Sequence, residues 1–166
     1  MAERLNHILT RLREEGATTL AFFNGLPIEV WTQQVYTTGP EWDVRQVLCH
    51  FVSAEESLCR LFKRMVETGE GSPDDFDIDR WNASKVSKMA EMTPRQLIAE
   101  FERLRAETLN WAQTLDESAL DVEARHPFLG IDRLENMLKL LYRHNKLHQR
   151  DIRVALDSGE PMPPSD

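Results

Sequence analysis

Two histidines four residues apart, His144 and His148, stand where a helical core pattern asks for apolar side chains. Residues at i and i+4 project from one helix face, a turn apart. The stripe they share reads Met137, Leu141, His144, His148, Ile152 and Ala155. A buried polar group without a partner costs about 1–3 kcal/mol. As packing residues the pair therefore needs two separate hydrogen-bonding partners. A single divalent metal ion satisfies both, because neighbouring turns aim their ring nitrogens at one point. The run His144-Asn145-Lys146-Leu147-His148 lacks the Glu that acts as general base in zincin proteases, which argues against peptidase chemistry.

A metal needs at least one more protein ligand. His50 lies beside Val47 and Phe51 at the edge of another apolar stripe and offers one. Imidazoles from facing helices, with axes about 8–10 Å apart, can meet between them. His7 falls off the stripe of its helix and reads as exposed, and His126, before Pro127, reads as a turn residue. Carboxylates placed to orient the rings are Glu55, Glu56 and Asp151. Glu55 interrupts the stripe between Phe51 and Leu58. Trp81 and Arg143, with Arg80 and Lys139, are candidates to meet a substrate, and Trp31 and Trp42 read as core or pocket wall.

Four proline-free intervals carry helical patterns and must position these residues. The first predicted helix spans about residues 2–23 and the second about 43–67, with an Asp43/Gln46 capping box. The third starts at Thr93-Pro94 and runs to Leu115, and the fourth runs from near Asp132 to Asp157. The segment 68–92 is too long for a structureless loop and predicts a short helix over 79–90, anchored by Trp81. Val35-Tyr36-Thr37-Thr38 is the one short β-like stretch. The pattern predicts an all-α chain: a four-helix bundle over residues 1–158, with long connections and a short extra helix between its second and third helices. Residues 159–166, rich in proline, read as an extended tail.

Composition narrows the partners. The 166 residues carry 20 Lys and Arg against 28 Asp and Glu, a net charge of −8. Such a surface disfavours nucleic acid and anionic membranes alike. No apolar run reaches the ~18 residues of a membrane span, and the N-terminus lacks a signal-peptide core, so the sequence predicts a cytoplasmic address. Cys49 and Cys59 fit a reducing compartment, since ten residues of helix put them roughly 15 Å apart, beyond disulfide reach.

Trp42-Asp43-Val44-Arg45-Gln46-Val47-Leu48-Cys49-His50 early, Trp81-Asn82 midway and His144-x-x-x-His148 late occur in an order that resembles the DinB-like (YfiT-like) superfamily. That superfamily includes the mycothiol-dependent maleylpyruvate isomerase branch. The similarity extends to the aspartate-rich stretch Asp74–Arg80 and to His126-Pro127 through Gly130. It implies a four-helix bundle, often a homodimer, holding a divalent metal, commonly zinc or nickel, through three histidines. The matching positions are His50, His144 and His148. It also implies a small-molecule substrate and, in some members, a low-molecular-weight thiol as cosubstrate.

Three imidazoles leave a coordination position open, the pattern of catalytic rather than structural sites. The chemistry on offer is activation of a thiol, for S-transfer or isomerisation, or of water, for hydrolysis. Two other readings stay open at this stage. One is a metal- or ligand-binding bundle without catalysis; the other is a scaffold whose histidines only pack.

Overall fold

The computed structural model describes residues 2–165. Leu5, Ile8, Leu9, Leu12, Gly16, Thr19 and Phe23 recur at helical spacing, and all are buried along one face of α1 (Glu3–Asn24). Asp43 starts α2 (Val44–Thr68) with a complete capping box: its side chain accepts from Gln46 N at 2.7 Å, and Gln46 Oε1 accepts from Asp43 N at 3.0 Å. Thr93 and Gln96 do the same for α4 (Pro94–Ala112), with proline at the first helical position. The short helix α3 (Ile78–Lys88) is capped by Asp77. The last helix, α5 (Leu134–Ser158), ends at Gly159 in the left-handed conformation, φ +74°.

Helices α1, α2, α4 and α5 make the four-helix bundle. The most extensive packing is α2 on α4 and α1 on both α4 and α5, while α3 leans on α2. Two apolar clusters fill the bundle. One gathers Phe23, Trp31, Phe51, Phe101 and Ile152; the other gathers Leu12, Phe62, Met65, Leu134 and Leu138. On α2 the stretch between Phe51 and Phe62 carries buried Ser53 and Glu55 and partly buried Ser57, so the interior is polar there. No described helix is long and apolar enough to cross a membrane.

The structure adds an element that the helical pattern does not foretell. β1 (Glu123–His126) pairs antiparallel with β2 (Gly130–Arg133), in the register Glu123↔Arg133 to His126↔Gly130. Each strand has four residues, and only Ala124 and His126 turn fully inward. Two inward positions among charges are too short an alternation to read as a strand. The hairpin lies against the exit of α2, where a Cβ on Gly71 would meet Arg125 N at 2.3 Å, so that position requires glycine. The ends of the neighbouring helices also differ from the pattern. α4 stops at Ala112 rather than Leu115. α5 begins at Leu134 rather than Asp132, because Asp132 is still paired in β2 and its Oδ1 accepts from Arg133 N and Asn136 Nδ2 instead.

Val35–Thr38 forms no sheet strand. Tyr36 makes an isolated bridge with Met162 of the tail, which is extended and docked: Met162 N donates to Val35 O at 2.8 Å, and Thr37 N donates to Met162 O at 3.0 Å.

Candidate metal centre

Three ring nitrogens converge between α2 and α5. His144 Nε2 lies 2.9 Å from His50 Nε2 and 3.0 Å from His148 Nε2. One nitrogen from each of the three residues falls within 4.8 Å of the others. The ring planes stand at 73–85° to one another, so the imidazoles meet edge to face around a common point rather than stack. Trp42, just ahead of the α2 cap, lays its ring over His50 at 4.9 Å, and Phe51 backs His144 and His148 at 6.0 and 5.8 Å. His50 is buried, whereas His144 and His148 are partly exposed and leave one side approachable.

The proton positions follow from Tyr36. A carboxylate only accepts, so the Tyr36 hydroxyl donates to Asp151 Oδ2 at 2.9 Å. The same hydroxyl oxygen touches His148 Nδ1. With its single proton committed to Asp151, Tyr36 must accept from His148 Nδ1–H. The Nε2 of His148 is then a bare lone pair facing the other two rings. Burial keeps the rings neutral: it pushes His148 down to about 3 and His144 down to about 4, and it depresses His50 well below the usual histidine value. Neutral imidazole nitrogens crowded around one point make a donor set that fits a divalent cation. His50 Nδ1 is buried and has no partner among the described residues, so the proton it carries when Nε2 ligates is left unpaired.

The remaining candidates fall in different places. Asp151 is fully buried and reaches His148 through Tyr36. Glu55 is buried too, but its partner is Arg105 of α4 rather than a histidine. Glu56 sits at the surface, bridging Arg60 and Lys85, because its Cβ points a turn-fraction away from the site face. Trp81 packs against Phe76, with Lys85 Nζ over its ring at 4.8 Å, and is 39% exposed. Arg143 and Arg80 are exposed, and Lys139 pairs with Glu135. Trp31 stacks on Phe23 in the core. His7 is exposed. His126 ends strand β1 rather than sitting in the turn, because it pairs with Gly130; it is buried, and its Nδ1 accepts from Phe128 N and Leu129 N of the turn.

Tyr36 and Arg105 are not singled out by the sequence pattern. Tyr36 lies in the β-like stretch between helices, and only the fold brings it 112 residues along the chain to His148. Arg105 had a signal: a cation directly after stripe residue Leu104, with an equally misplaced Glu55 on another helix.

A helical bundle whose second and last long helices bring three imidazoles to one interior point defines a recognisable class. The family model of the DinB superfamily matches residues 11–152. The chain belongs to the DinB superfamily. Among solved structures it is similar to YfiT from Bacillus subtilis, described as a probable metal-dependent hydrolase with an unusual four-helix bundle topology. That match has 22% identity and a TM-score of 0.75, over 94% of this chain and 88% of YfiT. A mutant of the mycothiol-dependent maleylpyruvate isomerase is similar at 16% identity and TM-score 0.72, over 89% of this chain and 60% of the isomerase. An uncharacterised protein from Escherichia coli UTI89 is similar at 11% identity and TM-score 0.72, over 94% and 95% of the two chains. At these identities the likeness is one of fold. No curated protein matches the chain in sequence.

Proposed function

We propose that this chain is a divalent-metal-dependent enzyme that uses His50, His144 and His148 as ligands to activate a thiol or a water molecule. The observation that carries the reading is the Asp151–Tyr36–His148 relay, which fixes one ring in its ligand tautomer and aims it at two others. A divalent ion supplies Lewis acidity there, lowering the pKa of a thiol or water that joins it. The protein's part is placement. His50 comes from a helix held by a capping box, and His144 and His148 come from consecutive turns of α5. Trp42 and Phe51 shield the far side of the rings from water. The partly exposed edges of His144 and His148 give a substrate its approach.

Zinc or nickel is the proposed ion, since both suit imidazole donors. YfiT's description favours water as the nucleophile, and the isomerase's favours a low-molecular-weight thiol. The substrate is a small molecule, the assembly a homodimer and the compartment the cytoplasm. Arg143, exposed one residue before His144, would meet an anionic group on the substrate, and Trp81 would flank it.

The test is elemental analysis of protein purified without a metal column. One equivalent of metal per chain, absent in His148→Ala, supports the reading; no metal in either rejects it. Loaded protein is then assayed for conjugation of mycothiol, bacillithiol, glutathione and coenzyme A, and for ester, amide and lactone cleavage. Stoichiometric metal with no turnover in any of these favours a binding protein over an enzyme.

A further inference from the structure

The carboxylate of Asp151 is 0% exposed and accepts three hydrogen bonds. Only one comes from the bundle side, the Tyr36 hydroxyl to Oδ2 at 2.9 Å. The other two come from Ser165: its backbone N–H to Oδ2 at 3.2 Å and its hydroxyl to Oδ1 at 2.5 Å. Ser165 Oγ in turn accepts from Arg150 Nη2 at 3.1 Å. Between Gly159 and Ser165 the chain turns back along Val35–Thr37 and pairs with the backbone on both sides of Tyr36 through Met162. The tail thus grips both members of the relay, Tyr36 by its flanking peptides and Asp151 by its carboxylate.

We propose that the C-terminal segment, through Ser165 and Met162, is a clasp that sets the tautomer of His148, with Ser165 as a positioning residue for the three-histidine site. The consequence for metal binding rests on the function proposed above. The physical argument is a choice of proton positions. With Asp151 fixed, the Tyr36 hydroxyl donates its hydrogen bond to the carboxylate and must accept from His148 Nδ1–H. Without the Ser165 hydroxyl, Oδ1 loses its donor and the carboxylate is held only at Oδ2, by Tyr36 and the Ser165 N–H, about which it can turn. Tyr36 can then donate to His148 Nδ1 instead. That ring must carry its proton on Nε2, and a protonated Nε2 cannot ligate. Partners beyond the ligands of this kind change metal affinity about 10- to 100-fold.

The experiment compares the wild type with Ser165→Ala, Ser165→Thr and a chain ending at Glu160. Nitrogen-15 shifts of His148 in the metal-free proteins report the tautomer, and competition with a chromophoric chelator reports zinc affinity. Helical circular dichroism confirms that each variant folds, and Ser165→Ala, a single-atom deletion, stands if the shortened chain does not. The expected result is Nδ1–H in the wild type and in Ser165→Thr. Ser165→Ala and the shortened chain should shift toward Nε2–H and bind zinc at least about 10-fold more weakly. An unchanged tautomer in Ser165→Ala overturns the clasp, even if the wild type binds zinc. A shifted tautomer in a protein that binds no zinc upholds the clasp and rejects the metal reading instead.

Discussion

Glu55 and Arg105 meet inside the bundle as a two-pronged ion pair, Nε to Oε1 at 2.8 Å and Nη2 to Oε2 at 2.9 Å, with both side chains at most 4% exposed. Arg105 also donates to Leu12 O at 3.0 Å, so one guanidinium ties α4 to α2 and to α1. Gly16 makes room for it: a Cβ there would stand 3.1 Å from Arg105 Cγ. Glu55 lies on α2 five residues past His50, within the polar middle of the bundle.

Breaking this pair from one side leaves a buried charge without its partner, which costs about 3–5 kcal/mol. Arg105→Met and Glu55→Leu are each expected to lower the unfolding free energy by that margin, seen as a lower denaturant midpoint at unchanged slope. The double variant should recover most of the loss, because removing both charges also removes both desolvation penalties. Chemical denaturation of the four proteins of the cycle measures this. Equal and additive losses would show that the two residues do not act as a pair.

If the three imidazoles hold a cation, folding and metal binding are linked. A ligand that binds only the folded state, at a free concentration about 100 times its Kd, stabilises by about 2.7 kcal/mol. Added zinc should therefore raise the melting temperature of the wild type and leave His148→Ala and His50→Ala where they are. A chelator should reverse the gain. A wild-type melting curve indifferent to zinc, nickel and chelator would remove the cation from the account.

The relay makes a separate prediction at Tyr36. Tyr36→Phe deletes the acceptor for His148 Nδ1–H and takes a buried donor from Asp151. The expected cost is about 1–3 kcal/mol of stability, together with a 10- to 100-fold loss of metal affinity. Isothermal titration with zinc and a denaturant curve separate the two. Lost stability with intact affinity would make Tyr36 a packing residue only.

Local signals explain what the sequence showed of this. The helices were legible because capping boxes, glycine stops and apolar spacing all act within a turn or two of the residues they order. His144 and His148 stood out for the same reason, since one helix sets their relation. His50 joins them only through packing, and its candidacy rested on its place beside Val47 and Phe51. Tyr36 was opaque because its partners arrive from α5 and its backbone pairs with the tail. Glu55 was visible as a charge on an apolar stripe, but the stripe cannot say whether a histidine or an arginine will face it. The hairpin was hidden because Ala124 and His126 are its only fully inward residues.

His126 gives the fold its own acid sensitivity. Its Nδ1 accepts from Phe128 N at 3.0 Å and Leu129 N at 3.2 Å, so its proton sits on Nε2, which is buried and has no partner among the described residues. Burial pushes the ring down to about 4, against the opposing pull of Asp132. The folded value lies below the unfolded one of about 6.5, so the unfolded chain binds more protons between them. This contribution is present above pH 6.5 and is lost as pH falls toward 4, by up to about 1.4 kcal/mol per pH unit. His126→Asn keeps an acceptor for the two turn amides and removes the titration. With metal-free protein, its unfolding free energy should fall less steeply than the wild type's across that window, by as much as one proton's worth of slope. Histidines at the centre titrate in both proteins, so the difference between the curves isolates His126. Parallel curves would place the proton uptake elsewhere.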